Sequence, residues 1–244
     1  IRTLALDLSS LKDVRRAAAE VNAYAEPIHI LVNNAAATLG AFKLSPEGFE
    51  NQLATDHLGP FLFTALIAPK ILAARTETFT PRVIFVSSMG HVSGPVNLET
   101  LRKPDPALYD PFGTYGQAKT ANILTAAELS RRSNGTIKSY SLHPGVIFTN
   151  LARREESAEI SKEAGILLPD GTPNLEKYQW KSIPEGAATT VAAAFDPRLE
   201  DVPGAFLDDS KVSNDKLAPH AADSAAAAKL WDVTEELVGF KFAF

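Results

Sequence analysis

The sequence contains no cysteine, and only one methionine and two tryptophans occur among its 244 residues. The absence of cysteine excludes a disulfide scaffold, a thiol nucleophile and any metal site with cysteine ligands. Basic residues are also scarce, because 24 lysines and arginines face 29 aspartates and glutamates, for a net charge of -5. Without a basic excess to neutralise phosphates, we expect no nucleic-acid partner. This composition is typical of a cytoplasmic protein.

Long hydrophobic runs are missing as well. The most apolar stretch, residues 58–74, is interrupted by Pro60, Pro69 and Lys70. A membrane-spanning helix needs about 20 consecutive apolar residues. We therefore expect no membrane span, and we expect residues 1–244 to form a single domain.

Strand and helix patterns alternate along the chain. Short apolar runs without polar alternation, typical of parallel strands buried on both faces, predict strands at 1–6, 28–32, 82–86, 137–142 and 205–207. Helical periodicity and end signals predict helices at about 10–21, 49–75 with a break near Gly59 and Pro60, 114–131, 184–195 and 221–238. The alternation predicts a doubly wound, mainly parallel sheet in three α/β/α layers. Residues 151–182 show little periodicity and are interpreted as a substrate loop or lid.

Polar residues follow the predicted strands where each strand ends. They are Asp7, Asn33-Asn34, Ser87-Ser88 and His143-Pro144-Gly145. An open parallel sheet binds its ligand at this edge. No grouping of histidine, aspartate and glutamate has metal-ligand spacing, so we expect no metal.

Tyr115 and Lys119 lie near the start of a predicted helix, four residues apart and therefore on one helix face. An ammonium group beside a phenol favours the phenolate, which makes tyrosine a usable general acid and base. The hydroxyl of Ser88, brought alongside, would hold a carbonyl or alkoxide oxygen. Hydride from a nicotinamide would complete a carbonyl/alcohol redox pair.

These residues resemble the motifs of the short-chain dehydrogenase/reductases, particularly the retinol-dehydrogenase-like branch common among fungal carbonyl reductases. The resemblance runs from Ile1 to about Thr149. It is carried by Asp7-Leu8, Asn33-Asn34-Ala35-Ala36, Ser88, Tyr115 with Lys119, and Pro144-Gly145-Val146-Ile147-Phe148-Thr149.

The resemblance implies a role for each of these residues. Tyr115 would be the catalytic acid and base, Lys119 would support it and bind the nicotinamide ribose, and Ser88 would orient the carbonyl. The implied cofactor is NADP or NAD, and the implied cofactor-binding residues are Asp7, Leu8, Asn34, Ala35, Tyr115, Lys119, Ile147 and Thr149. Asp7 has an alternative role as the cap of the following helix.

Two departures from the family's pattern stand out. Asp56 occupies the place of an asparagine that helps hold a water relay behind the lysine, and its charge would tie up Lys119 if the two came close. The family's glycine-rich pyrophosphate turn, with its first strand–helix units, is absent from the sequence. Two explanations stay open: a preceding segment of roughly 50–60 residues that is not in this sequence, or a rearranged fold whose sheet is completed by pairing between chains.

The function implied is NAD(P)-dependent interconversion of a carbonyl and an alcohol on a small-to-medium apolar molecule such as a secondary metabolite. One alternative is a non-redox isomerase, dehydratase or cyclase that uses Tyr115, and another is an inactive binding or scaffold subunit. The resemblance also implies a homo-oligomer with contacts through the predicted helices 49–75 and 114–131.

Overall fold

The computed structural model describes residues 1–37 and 39–244. Seven strands are described: β1 (Ile30–Asn33), β2 (Arg82–Val86), β3 (Lys138–His143), β4 (Val146–Ile147), β5 (Trp180–Lys181), β6 (Phe206–Asp208) and β7 (Lys211–Val212). Nine α-helices are described within these ranges: α1 (Leu11–Asn22), α2 (Asn51–Leu53), α3 (Gly59–Leu72), α4 (Leu98–Arg102), α5 (Pro111–Arg132), α6 (Asn150–Arg153), α7 (Glu155–Glu163), α8 (Ile183–Phe195) and α9 (Ser224–Val238).

The central sheet has five strands in the order β1-β2-β3-β6-β7. The first four are parallel, and β7 adds to the end as an antiparallel partner of β6. A separate small sheet pairs β4 with β5. The strand predicted at 82–86 is confirmed with the same bounds, because β2 lies between two neighbours and is buried along its whole length.

Alternate residues of β2 face two different helix layers. Val83 and Phe85 belong to the large core formed with α1, α3, α5 and α9. Ile84 and Val86 pack on the other side of the sheet with Tyr140 and with alanines of α8. The sheet is therefore covered on both faces, which confirms the predicted three-layer, doubly wound α/β fold.

The strand predicted at residues 1–6 is wrong. This segment is extended but pairs with no described strand, and its Leu4 and Leu6 rest partly buried against the large core. A strand needs a neighbour to take its backbone hydrogen bonds. In the doubly wound strand order 3-2-1-4-5-6, this segment would be strand three and β1 strand four, with two strands between them. The described chain supplies neither of those two strands, so the outer edge of β1 is open.

Local signals place the main helices. The Ser10 hydroxyl accepts from the Asp13 amide and begins α1, and Asp110 accepts from the Gly113 amide and begins α5. α5 thus starts three residues before its predicted position, with Pro111 at its first position, where a missing N–H costs nothing.

The helical region predicted at 49–75 contains a π-helical turn, Ala54–Leu58, between α2 and α3. The break therefore comes just before the predicted Gly59-Pro60 step. The lack of an amide hydrogen on Pro60 gives a physical reason, since residue 60 cannot make the regular backbone bond to this turn. In the described part of the chain, none of the helices is both long and apolar enough to cross a membrane.

Candidate active site

Two serines with different surroundings follow β2. The Ser87 hydroxyl is buried and donates to the Lys119 carbonyl at 2.7 Å, which ties the end of the strand to α5. Ser88 is half-buried, and its Oγ accepts from the Gly90 amide at 3.0 Å at the start of a 3-10 turn. The strand's alternation therefore leaves Ser88 as the serine available at the carboxyl edge of the sheet.

Gly90 lies between Ser88 and the ring of Tyr115. A Cβ atom placed on Gly90 would stand 2.8 Å from Tyr115 Cε1 and 3.4 Å from Ser88 Oγ. Only a glycine lets the serine turn and the half-buried tyrosine ring come this close without displacement. The structure thus brings Ser88 and Tyr115 together as the sequence predicts.

Lys119 lies one helical turn after Tyr115 on α5. Its Nζ is 5.3 Å from the centroid of the Tyr115 ring, and the residue is 3% exposed. Burial alone would lower the pKa of Lys119, but attraction to the Asp56 carboxylate and to Tyr115 outweighs it and raises that pKa above its ordinary value. The lysine is held as an ammonium group.

Asp56 pairs directly with Lys119. Its Oδ2 lies 3.0 Å from Lys119 Nζ, and its Oδ1 accepts from the Ala37 amide at 2.6 Å. Burial raises the pKa of Asp56, although the ammonium group and the Ala37 amide oppose the shift. The sequence predicts that the Asp56 charge ties up Lys119 if the two residues come close. In the structure α5 packs against the π-helical turn, and this packing brings the two side chains into contact.

The residues predicted to bind the adenosine end of the cofactor lie in a more open region. A cavity of about 330 Å³ is bordered by Asp7, Ser9, Ala36 and Ala37, among other residues. Asp7 is exposed, and its Oδ1 accepts from the amide and the hydroxyl of Ser9. Asp7 does not cap α1, because Ser10 does. Of its two predicted alternatives, the capping role is therefore wrong.

Leu8, Asn34 and Ala35 lie within two residues of lining residues of this cavity in the sequence but do not line it themselves. Leu8 is half-buried, and its carbonyl lies so close to Gly59 that a side chain there would collide with it. Asn34 and Ala35 are exposed in the turn after β1. Asp7 contributes an exposed carboxylate to this cavity of small-molecule size, an acceptor that suits the adenosine part of a dinucleotide.

Ile147 and Thr149 lie on the segment after β3. Ile147 is in β4, with its side chain packed so closely on Gly186 of α8 that a Cβ atom there would overlap it. Thr149 caps α6, its hydroxyl accepting from the Leu151 amide. Among the described hydrogen bonds and ion pairs, none joins these two residues to Tyr115 or Lys119.

The predicted lid region contacts the turn that follows β1. Glu156, in α7, accepts from the Ala41 amide and pairs with Lys43 Nζ at 2.9 Å. From the other side, the Tyr109 hydroxyl donates to the Gly40 carbonyl at 2.7 Å. Residues 40–43 are therefore held between α7 and the loop that precedes α5.

The sequence interpretation missed two backbone positions. Gly90 shapes the contact between Ser88 and Tyr115, and the Ala37 amide anchors Asp56. A glycine two residues after a strand-end serine is a signal for Gly90. Nothing local points to Ala37, since its role depends on a partner 19 residues away.

The fold and this group of side chains define a doubly wound α/β protein with a serine–tyrosine–lysine site at the carboxyl edge of its sheet. The sequence model of the family described as short chain dehydrogenase matches residues 1–99. The chain is 36% identical over 245 residues to "Short-chain dehydrogenase TIC 32 A, chloroplastic" of Brassica napus, covering 98% of this chain and 72% of that protein. It is 34% identical to "Retinol dehydrogenase 14" of Mus musculus, covering 96% of this chain and 66% of that protein.

A solved structure has a similar fold. The crystal structure of an uncharacterized protein from Mycobacterium Paratuberculosis matches with a TM-score of 0.71 and 30% identity, over 98% of this chain and 76% of that one. The chain belongs to the short-chain dehydrogenase family, as its motifs predict, and is an oxidoreductase by that membership.

Proposed function

We propose that this protein interconverts a carbonyl and an alcohol with NADP or NAD as the hydride carrier. The observation that carries the proposal is the packed group at the sheet edge: Tyr115 is half-buried over Gly90 beside Ser88, and a charged Lys119 lies 5.3 Å from its ring. A phenol next to a fixed ammonium group is a proton donor and acceptor suited to this chemistry.

Each residue has one task in reduction. The Ser88 hydroxyl donates a hydrogen bond to the carbonyl oxygen and orients it, and the Tyr115 hydroxyl gives its proton to that oxygen. When bound, a reduced nicotinamide would supply the hydride to the carbonyl carbon and would itself be oxidised. Lys119 stabilises the phenolate left on Tyr115, and oxidation of the alcohol reverses every transfer.

The adenosine end of the cofactor would lie at the cavity lined by Asp7 and near Leu8, Asn34 and Ala35. Its nicotinamide end would lie near Tyr115, Lys119, Ile147 and Thr149. The carboxylate of Asp7 would accept from the adenine amino group. Residues 151–182 would act as the lid over a small-to-medium apolar substrate such as a secondary metabolite, because α7 already contacts the turn after β1.

A cytoplasmic location and self-association stay predictions. The helices expected to carry a subunit contact, α3 and α5, are largely buried under other parts of the same chain. An oligomer would therefore need a different face from the one that the resemblance implies.

The test is a titration of the purified protein with NADPH and with NADH, followed by nicotinamide fluorescence. We expect saturable binding of one of the two at micromolar concentration. Asp7→Ala should weaken it, and Asp201→Ala, which removes an exposed carboxylate that does not line the cavity, serves as the matched control. A folded protein that binds neither cofactor at millimolar concentration would contradict the redox proposal and favour a cofactor-free reaction at Tyr115.

A further inference from the structure

The ion pair beneath Tyr115 is buried more deeply than any group that would touch a substrate. Asp56 is 1% exposed and Lys119 3%, and their charged atoms are 3.0 Å apart. The second carboxylate oxygen of Asp56 is used by the Ala37 amide. Asp56 thus connects the turn after β1, where the cofactor is expected, to the lysine below the tyrosine.

Local structure fixes this carboxylate in place. Asp56 is in the middle of the π-helical turn Ala54–Leu58, and π-helical turns inside helices are often found at functional sites. The helix continues through Gly59, against which the Leu8 carbonyl packs. Asp56 therefore has little freedom to swing away from Lys119.

We propose that Asp56 is a positioning residue that holds Lys119 in place and offsets the positive field of its ammonium group at the Tyr115 hydroxyl. This proposal rests on the proposed role of Tyr115 as the proton donor. At the position where the family's pattern has an asparagine, a carboxylate here forms an ion pair with the lysine.

The sign of the effect follows from charge. An ammonium group near a phenol favours the phenolate, and a carboxylate at hydrogen-bond distance from that ammonium cancels part of its field, the more so in a buried site where charges are poorly screened. The charged and titratable groups that act on the pair are Tyr115 on α5 and Glu50 at the start of α2, whose carboxylate interacts with Asp56. An amide at position 56 carries no net charge, so a protonated Lys119 would act on Tyr115 without that offset. Because burial lowers the pKa of Lys119, the same change also makes the lysine easier to deprotonate.

The experiment compares Asp56→Asn with a matched control. Glu128→Gln is the control, because Glu128 is also buried, at 1% exposed, and also forms ion pairs, with Arg131 and Arg132. It follows Lys119 by nine residues on α5. Each change removes one buried negative charge. In each background, the phenolate absorbance is titrated without cofactor, and the curve of the same protein carrying Tyr115→Phe is subtracted to isolate Tyr115.

We expect Asp56→Asn to move the phenolate midpoint of Tyr115 by about one pH unit, downward while Lys119 keeps its proton and upward once the unpaired lysine has lost it, and Glu128→Gln to leave the midpoint in place. The alkaline limb of the reduction rate and the rising limb of the oxidation rate should both move with that midpoint. An unchanged midpoint in folded Asp56→Asn would overturn the proposal. Because the titration needs neither cofactor nor turnover, it still decides the matter if the protein proves inactive as an oxidoreductase.

Asp56→Asn leaves Lys119 buried without a counter-charge. A second pair of variants decides the question if this change prevents folding. Lys119→Met keeps the Asp56 carboxylate alone, and Lys119→Met with Asp56→Asn has neither charge. If the Asp56 charge reaches the phenol, the Tyr115 midpoint is higher in the first than in the second. Equal midpoints would overturn the proposal in this background as well.

Discussion

The two halves of the candidate site are built differently. The proton-transfer half, with Tyr115, Lys119 and Asp56, is packed between α5, the end of β2 and the π-helical turn, and its charges are paired within the core. The half expected to bind the adenosine, with Asp7 and Asn34, is exposed and lies beside the open edge of β1. The comparison shows that the reactive geometry is set by core packing of the described chain, whereas the cofactor half depends on loops.

The largest effect is expected from breaking the buried pair. Lys119→Met leaves the Asp56 carboxylate uncompensated at 1% exposure, so we expect the free energy of unfolding to fall by about 3–5 kcal/mol. Urea unfolding at neutral pH measures it. Adding Asp56→Asn should restore much of the loss, and a double variant as unstable as the single one would show that the pair is not coupled.

The buried half should also carry the acid sensitivity of the fold. Burial lowers the pKa of His57, next to Asp56, from 6.5 to about 4. The unfolded chain binds this proton first as the pH falls. The stabilisation is therefore complete above about pH 6.5 and is lost down to about pH 4, by about 3 kcal/mol.

Unfolding free energies measured across this pH range test the point. His57→Gln, which keeps a polar group near Thr234 Oγ1, should flatten the acid slope. If the slope is unchanged, the acid sensitivity comes from other groups.

A smaller change should loosen the contact between the serine turn and the tyrosine. In Gly90→Ala the new Cβ meets the Tyr115 ring at 2.8 Å, and we expect a loss of stability of about 1–3 kcal/mol together with at least a tenfold drop in turnover. Val92→Ala, an exposed change in the same 3-10 turn, is the control. Full activity of Gly90→Ala would mean that the ring position is not critical.

The smallest effect on stability is expected at the open half. Asp7 is exposed, and among the described hydrogen bonds its carboxylate accepts only from nearby Ser9, so Asp7→Ala should change the free energy of unfolding by no more than about 0.5 kcal/mol. Its effect should fall on cofactor affinity, with a dissociation constant about tenfold higher. A variant that unfolds readily would place Asp7 with the structural residues instead.

Sequence patterns predicted the elements that are determined locally. β2 was predictable because its apolar run is buried on both faces, and the Tyr115–Lys119 pair because helix geometry fixes four-residue spacing. The segment 1–6 has an equally strand-like sequence, yet it forms no strand, because pairing depends on neighbours and not on the segment itself.

Contacts between distant segments were less accessible to sequence reasoning. The Asp56–Lys119 pair needs α5 to pack on a π-helical turn, a feature that Pro60 suggests only in retrospect. The bond from Glu156 to the Ala41 amide joins residues 115 positions apart and has no local signal. Such contacts depend on how distant segments pack together. For this reason the sequence predicts the pairing of Asp56 with Lys119 only under the condition that the two residues come close.

The most direct test of the proposed site is nicotinamide-dependent reduction of a panel of small apolar aldehydes and ketones by the full chain and by Tyr115→Phe. Loss of the tyrosine hydroxyl removes the proton donor and leaves the packing intact, so we expect turnover to fall by about 10²–10⁴-fold with unfolding unchanged. If Tyr115→Phe reduces the same substrates as fast as the natural sequence, the proton-transfer site described at Ser88, Tyr115 and Lys119 is not the active site.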